Sequence, residues 1–354
     1  MLSPAQVAAT VDRIADVQLR DGMIPWYAGG HADPWNHVEA AMALTVGARR
    51  RDAERAYGWL AATQEPDGSW FNYYGDGVVL DRRRDTNVCA YVATGVWHHF
   101  SATCDRGFLD DTFGMVESAI DFVLRLQQPG GEVLWCVEPD GSVGDYALLA
   151  ASSSIHLSLR CAVAAAEAVG RPRPDWELAT GRLAHAIIHR PHAFEPKHRF
   201  AMDWYYPVLC GAIGGKPAEA RLRQGWATFV MDGLGVRCVS DQPWVTSAET
   251  AECSLALTAC GLYDEAALLL AWVGLLREPE GTYWTGCVYP QTVYFPGDER
   301  STYSSAAVVL AHDAMYGTGP AAGLFRGVGL PRGLVLPEGP LVASDAGANP
   351  AHQP

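Results

Sequence analysis

Turn signals recur along this chain at a spacing of about 50 residues, and each closes a segment of helical periodicity. The first such segment covers residues 4–19. Ser3 stands in the N-cap position, Pro4 in the first turn, and Val7, Ala8, Val11, Ile14 and Ala15 keep helical spacing. Asp21-Gly22 stops it, and after an aromatic-rich loop a second helix is predicted to start near Asp33-Pro34-Trp35. The unit then repeats. Helical patterns run from Asp52 to Gln64, Asp110 to Gln127, Pro174 to His189, Pro217 to Met231 and Tyr263 to Leu276. Their partners begin at Asp85, near Asp145, at Asp203, around Ser247-Ala248-Glu249 and at Ser301. About twelve helices therefore pair into about six hairpins, a repeat length typical of helical arrays.

The second helix of each pair is apolar and small on most sides, as in Val88–Val96, Ala147–Ala166, Ser254–Cys260 and Ala306–Ala311. A helix apolar all round is buried, and one with a single apolar stripe lies outside. The expected fold is all-α, an (α/α)6 barrel or toroid of six helical hairpins with second helices forming an inner ring. No capping repeats flank the array, so closure is favoured over an open solenoid. The toroid is assigned to residues 1–318 as a single domain. Residues 319–354, rich in Gly, Pro and Ala, are read as an irregular segment whose last dozen residues are disordered.

A formal net charge of −14 repels nucleic acid and anionic lipid. The N-terminus shows no basic and apolar leader, and no stretch is expected to approach the ~20 apolar residues of a bilayer span. Nine scattered cysteines form no C-x-x-C pair and suit buried free thiols in a reducing cytoplasm. These traits predict a cytoplasmic protein with no membrane insertion.

In such a toroid the outer-to-inner connections all open on one rim, where the inner helices start. These connections are long and carry most of the twelve Trp residues, together with many Tyr. Candidate ligand-contacting residues there are Trp26, Tyr27, Trp35, Asn36, Trp70, Tyr73, Trp204, Tyr205, Tyr206, Trp244, Trp284 and Tyr303. Aromatic faces suit sugar rings or an isoprenoid, although packing between loops accounts for single cases as well. Acids mark the inner-helix starts: Asp33, Asp85, Asp145, Asp203 and Glu249. Any one of them can be an N-cap. Several around one funnel can also supply the two carboxyl groups of glycoside hydrolysis, one protonated and one ionised. Asp33 and Glu249 rank first, with His37, Glu39, Asp85, Asp203 and Glu252 as supporting or alternate groups. Glu252 lies three residues beyond Glu249, so on a buried helix it is either partnered or used. No H-E-x-x-H spacing occurs among the histidines, no G-x-S-x-G surrounds Ser152-Ser153-Ser154, and Gly29-Gly30 lacks a strand context. No metal or cofactor is expected.

The segment Gln64-Glu65-Pro66-Asp67-Gly68-Ser69-Trp70 resembles the Q-x-x-D-G-S-W repeat of squalene cyclases and prenyltransferase β subunits. Echoes occur at Gln18-Leu19-Arg20-Asp21-Gly22 and Gln128-Pro129-Gly130-Gly131. The chain lacks the D-x-D-D acid motif of the cyclases and the zinc ligands of the transferases, so this resemblance implies a fold more than a chemistry. Asp33-Pro34-Trp35-Asn36-His37-Val38-Glu39-Ala40 and Ala248-Glu249-Thr250-Ala251-Glu252-Cys253 resemble the six-hairpin glycosidases. Among these the chain looks most like the actinobacterial methylmannose polysaccharide hydrolases, which are endo-acting α-mannosidases. That resemblance implies an early Asp as acid and a late Glu as base, here Asp33 and Glu249.

The expected function is an inverting glycoside hydrolase acting on an α-linked glycan such as an α-mannoside. An isoprenoid-handling cyclase or prenyltransferase relative is the second reading, and a non-catalytic carbohydrate-binding toroid the third.

Overall fold

A computed structural model describes residues 2–336. Six hairpins follow one another: α1 (Pro4–Val17) with α2 (Pro34–Val46), then α3 (Arg50–Thr63) with a broken partner, α4 (Thr86–Ala90) and α5 (Val92–Thr103). Next come α6 (Arg106–Leu124) with α7 (Leu149–Ala168), and α8 (Pro174–His189) with α9 (Ala201–Leu209). The last pairs are α10 (Gly215–Phe229) with α11 (Ser247–Ala259), and α12 (Tyr263–Val273) with α13 (Thr302–Tyr316). Around the centre α2 packs on α5, α5 on α7, α7 on α9, α9 on α11, α11 on α13, and α13 returns to α2. The ring is closed, as the all-α (α/α)6 reading expects.

A repeated side-chain tie explains the closure and the turn signals. Gln18 Nε2 donates to Gly22 O at 3.0 Å and to Asp52 O on the next outer helix at 2.9 Å. Gln64 does the same to Gly68 O (2.9 Å) and Met115 O (3.0 Å), and Gln127 to Gly131 O (3.0 Å) and Ala179 O (2.9 Å). The third tie is thus made by Gln127, one residue before the Gln128 that the sequence repeat pointed to. Gly22, Gly68 and Gly131 have φ of +103°, +91° and +100°, and a Cβ on any of them would fall 2.1–2.2 Å from a carbonyl oxygen of the neighbouring outer helix. Only glycine supplies both the left-handed turn and the close approach. The last hairpin repeats the contact on the first: Gly281, φ +110°, sits against Ala9, and Thr10 Oγ1 donates to Gly281 O at 2.8 Å.

Some boundaries differ from the sequence reading. α7 begins at Leu149 with Leu148 as cap, so Asp145 is an exposed loop residue before the helix. Asp203 lies in the first turn of α9, behind the cap Phe200. α7 also corrects the expectation that no stretch approaches a bilayer span. By length and composition it could cross one, yet it is an inner helix with 78% of its apolar window buried. Beyond α13, residues Pro320–Arg326 form a 3-10 helix that packs on α5, α11 and α13, and Ala321, Ala322, Leu324 and Phe325 are buried. The last dozen residues, expected to be disordered, lie outside the described residues. Among the described residues, short antiparallel strands occur only in the outer-to-inner connections, where they pair along the rim.

Candidate active site

At the rim α13 packs on both α2 and α11, and its Tyr303 reaches Trp35 of α2 and Glu252 of α11. Asp33 is the N-cap of α2, with Pro34 in the first turn. Its Oδ1 accepts the Asn36 N–H at 2.9 Å, and its Oδ2 accepts Asn36 Nδ2 at 2.6 Å and Trp26 Nε1 at 2.7 Å. The loop that carries Trp26 is fixed on two sides. Thr302 N, at the start of α13, donates to Trp26 O at 2.7 Å, and Ala32 pairs with Tyr74. His31 packs between Trp26 and Tyr73, with ring centroids 4.7 and 5.0 Å away. Asp33 is only 5% exposed, and burial raises its pKa against the lowering effect of its three N–H donors.

Glu249 lies in the first turn of α11, directly after the Trp244–Thr246 strand, which pairs with Gly286–Val288. The Thr246 hydroxyl donates to its Oε2. Glu249 keeps partial exposure toward the rim, and burial raises its pKa too.

One turn deeper, Glu252 is buried beneath three phenols. Tyr205 and Tyr206 of α9 donate to it at 2.5 and 2.9 Å, and Tyr303 of α13 donates to it as well. Burial, helped by the charge of Glu249, pushes its pKa up to about 8. Glu39, within α2, accepts from the Tyr91 hydroxyl, and burial pushes it to about 7. Between these carboxyl groups lies Trp35. Its ring stacks on Tyr91 at 4.7 Å and meets Tyr303 edge-on at 5.3 Å. The funnel floor is therefore an aromatic plate bordered by two buried carboxyl groups whose pKa values burial raises. A saccharide, with an apolar ring face and many hydroxyls, matches such a surface.

Asp85 forms a second rim acid. It caps α4 through Asn87 N (2.8 Å) and Val88 N (3.2 Å) and accepts Trp135 Nε1 at 2.5 Å. Burial raises it to about 6, with a smaller contribution from Asp33. Among the described residues no three His, Cys, Asp or Glu side chains gather as a metal site.

No family model matches the chain. It is 51% identical over 334 residues to an MMP endo-(1,4)-3-O-methyl-alpha-D-mannosidase of Mycolicibacterium hassiacum, covering 94% of this chain and 92% of that protein. The chain belongs to that family. Solved structures similar in fold include a wild-type glycosidase (TM-score 0.69, 13% identity, 89% of this chain and 99% of that one). A GH63 mannosylglycerate hydrolase from Thermus thermophilus in complex with glucose gives a TM-score of 0.66 at 13% identity, over 86% of this chain and 99% of that one. A D-mannose isomerase gives 0.63 at 12% identity, over 87% and 96%. At these identities the likeness is one of fold, and the isomerase shows that the fold alone does not choose the reaction.

Within this family frame, several residues expected at the ligand take structural roles. Trp70 is fully buried and donates Nε1 to Leu60 O at 2.9 Å, so it has no face to offer. Trp204 stacks on Phe229 and donates to Arg221 O at 2.9 Å, which places it under α10. His37 is fully buried, accepting Ile24 N at Nδ1 (3.0 Å) and donating Nε2–H to Ala56 O (2.9 Å). Burial lowers it to about 4, so it stays neutral and holds the loop before Trp26. Trp284 stacks on Tyr294 at 4.1 Å beneath the Arg300 guanidinium. Asp203 is buried, with a raised pKa, and lines a separate cavity of about 750 Å³ with Tyr146 and Phe194. Tyr27 and Trp244 remain exposed at the rim, and Tyr73 half-buried beside His31. Tyr205 and Tyr206 present their hydroxyls to Glu252, not their faces to the funnel mouth. Tyr91 and His31 escaped the sequence reading. Tyr91 sits in an apolar inner-helix run, and His31 stands in a loop with no motif around it.

Proposed function

We propose that the chain is an endo-acting α-mannoside hydrolase that inverts configuration, with Asp33 as general acid and Glu249 as general base. Family membership, through the M. hassiacum endomannosidase, supports the reaction class and the substrate. The observation that carries the site is the burial of Asp33 at the start of α2. Three N–H donors, two on Oδ2 and one on Oδ1, fix the orientation of the carboxyl. Burial favours its neutral form against the pull of those donors. The carboxyl proton passes to the glycosidic oxygen as the C–O bond breaks.

Glu249 differs from Asp33 in its exposure, although burial raises its pKa as well. It sits at a helix N-terminus, receives a hydroxyl donor from Thr246 and keeps access to water. Those features hold a carboxylate that can take a proton from the attacking water. Trp35 forms the platform for the sugar ring, and Glu252 and Glu39 fix the phenols around it. The test is hydrolysis of α-(1→4)-linked 3-O-methylmannose oligosaccharides by the purified protein, with internal cleavage products expected. A protein that binds these oligosaccharides without cleaving them would instead be a carbohydrate-binding toroid.

A further inference from the structure

The toroid wall holds a second constellation, away from the funnel acids. On α7, His156 and Arg160 are one turn apart, and on α8, His185 and His189 are one turn apart. The two helices pack together, and all four side chains line one cavity of about 220 Å³. α9 has nine residues beside the twenty of α7, and the chain from Gly327 onward passes beneath its end. There Gly211 and Gly327 lie so close to Arg160 that a Cβ on either would meet the guanidinium at 2.8 and 3.2 Å.

Arg160 has no counter-charge among the described residues. Among the described residues its guanidinium makes one hydrogen bond, a long one of 3.4 Å from Nη2 to Pro331 O, and its Nε has no partner. Burial lowers its pKa, as expected for a cation taken out of water without an anion. His185 is 4% exposed, and neither of its ring nitrogens has a partner among the described residues. His156 donates Nδ1–H to Cys210 O at 3.1 Å, which fixes its tautomer, since a carbonyl only accepts. A desolvated cation is costly unless compensated, and orphaned buried donors carry a similar penalty. The guanidinium repels a metal ion. Its planar fork matches two oxygens of a phosphate, sulfate or carboxylate.

From these contacts we infer that the wall cavity between α7, α8 and the end of α9 binds a small oxyanion on Arg160 and His185, with His189 at its mouth. The site does not depend on the glycosidase reading. It is tested on the full chain by calorimetric titration and thermal shift with inorganic phosphate and, in a parallel arm, acetate, at ionic strength fixed with sodium chloride. Saturable binding with a rise in Tm is expected from phosphate, and binding of acetate as well would make the carboxylate a second natural form of the ligand. Arg160→Lys keeps the charge and loses the fork, and should weaken binding by about tenfold. His185→Asn should weaken it too, and Arg160→Met should abolish it, with circular dichroism reporting whether that variant folds. The lysine and asparagine variants carry the test if it does not. Absence of saturable binding, or equal affinity in Arg160→Lys and His185→Asn, would overturn the inference.

Discussion

The indole N–H of Trp26 donates to Asp33 Oδ2 at 2.7 Å, and this bond couples the rim loop to the start of the first inner helix. The same Trp26 is held through its carbonyl by Thr302 of the last hairpin. Asp33 is thus positioned where the first and sixth hairpins meet, at the seam of the ring.

The bond lowers the pKa of Asp33, so its loss should raise it. In Trp26→Phe the alkaline limb of the kcat/KM profile, which reports loss of the acid's proton, should move up by about one pH unit. A steady-state pH profile checks this, and kcat should fall as the carboxyl loses its orientation.

Glu252 and Glu39 are raised to about 8 and about 7 from ordinary glutamate values near 4.5. The folded state therefore holds protons that the unfolded chain has released. The associated stability is complete below about pH 4.5 and is lost progressively as pH rises to about 8. Buried neutral histidines such as His37 and His98, lowered to about 4 and about 3, act in the opposite sense between their folded values and about pH 6.5. Comparison with Glu252→Gln isolates the carboxyl: between pH 5 and pH 8 its Tm should decline less than that of the wild type in calorimetric scans.

Gly281 closes the outer ring on Ala9, with φ +110° and backbone atoms 2.9–3.0 Å from where a Cβ would stand. Gly281→Ala should cost about 2–4 kcal/mol by chemical denaturation. Gly77, also in the left-handed region but facing open space, is the control: Gly77→Ala pays only the backbone strain.

Packing and binding aromatics should separate cleanly. Trp70→Ala should destabilise by about 3–5 kcal/mol and leave KM nearly unchanged in the protein that remains folded. Tyr73→Ala, at the half-buried rim beside His31, should raise KM with little change in Tm.

The architecture was readable because four outer helices, α1, α3, α6 and α12, are followed by turn chemistry that only glycine satisfies. Gly22, Gly68 and Gly131 are both the repeat signal and the point where neighbouring outer helices touch. Acid positions were readable for the same local reason: Asp33 and Asp85 are N-caps, and Glu249 opens a helix. Depth was not readable. Nothing in the spacing of Trp70 or His37 separates a residue sealed behind a loop from one facing the funnel. Tyr91 reads as core, and only the closed ring brings its hydroxyl to Glu39 and its ring to Trp35. The C-terminal 3-10 helix was missed because Gly, Pro and Ala composition says little about a segment held by tertiary packing.

The pairing of Asp33 with Glu249 is the central claim, and the initial rate of cleavage of an α-(1→4)-linked 3-O-methylmannose oligosaccharide by Asp33→Asn and Glu249→Gln tests it most directly. Each variant should fold with a Tm close to that of the wild type and lose about a thousandfold or more in kcat. Substantial hydrolysis by either folded variant would contradict the assignment and move the chemistry to another pair of rim acids.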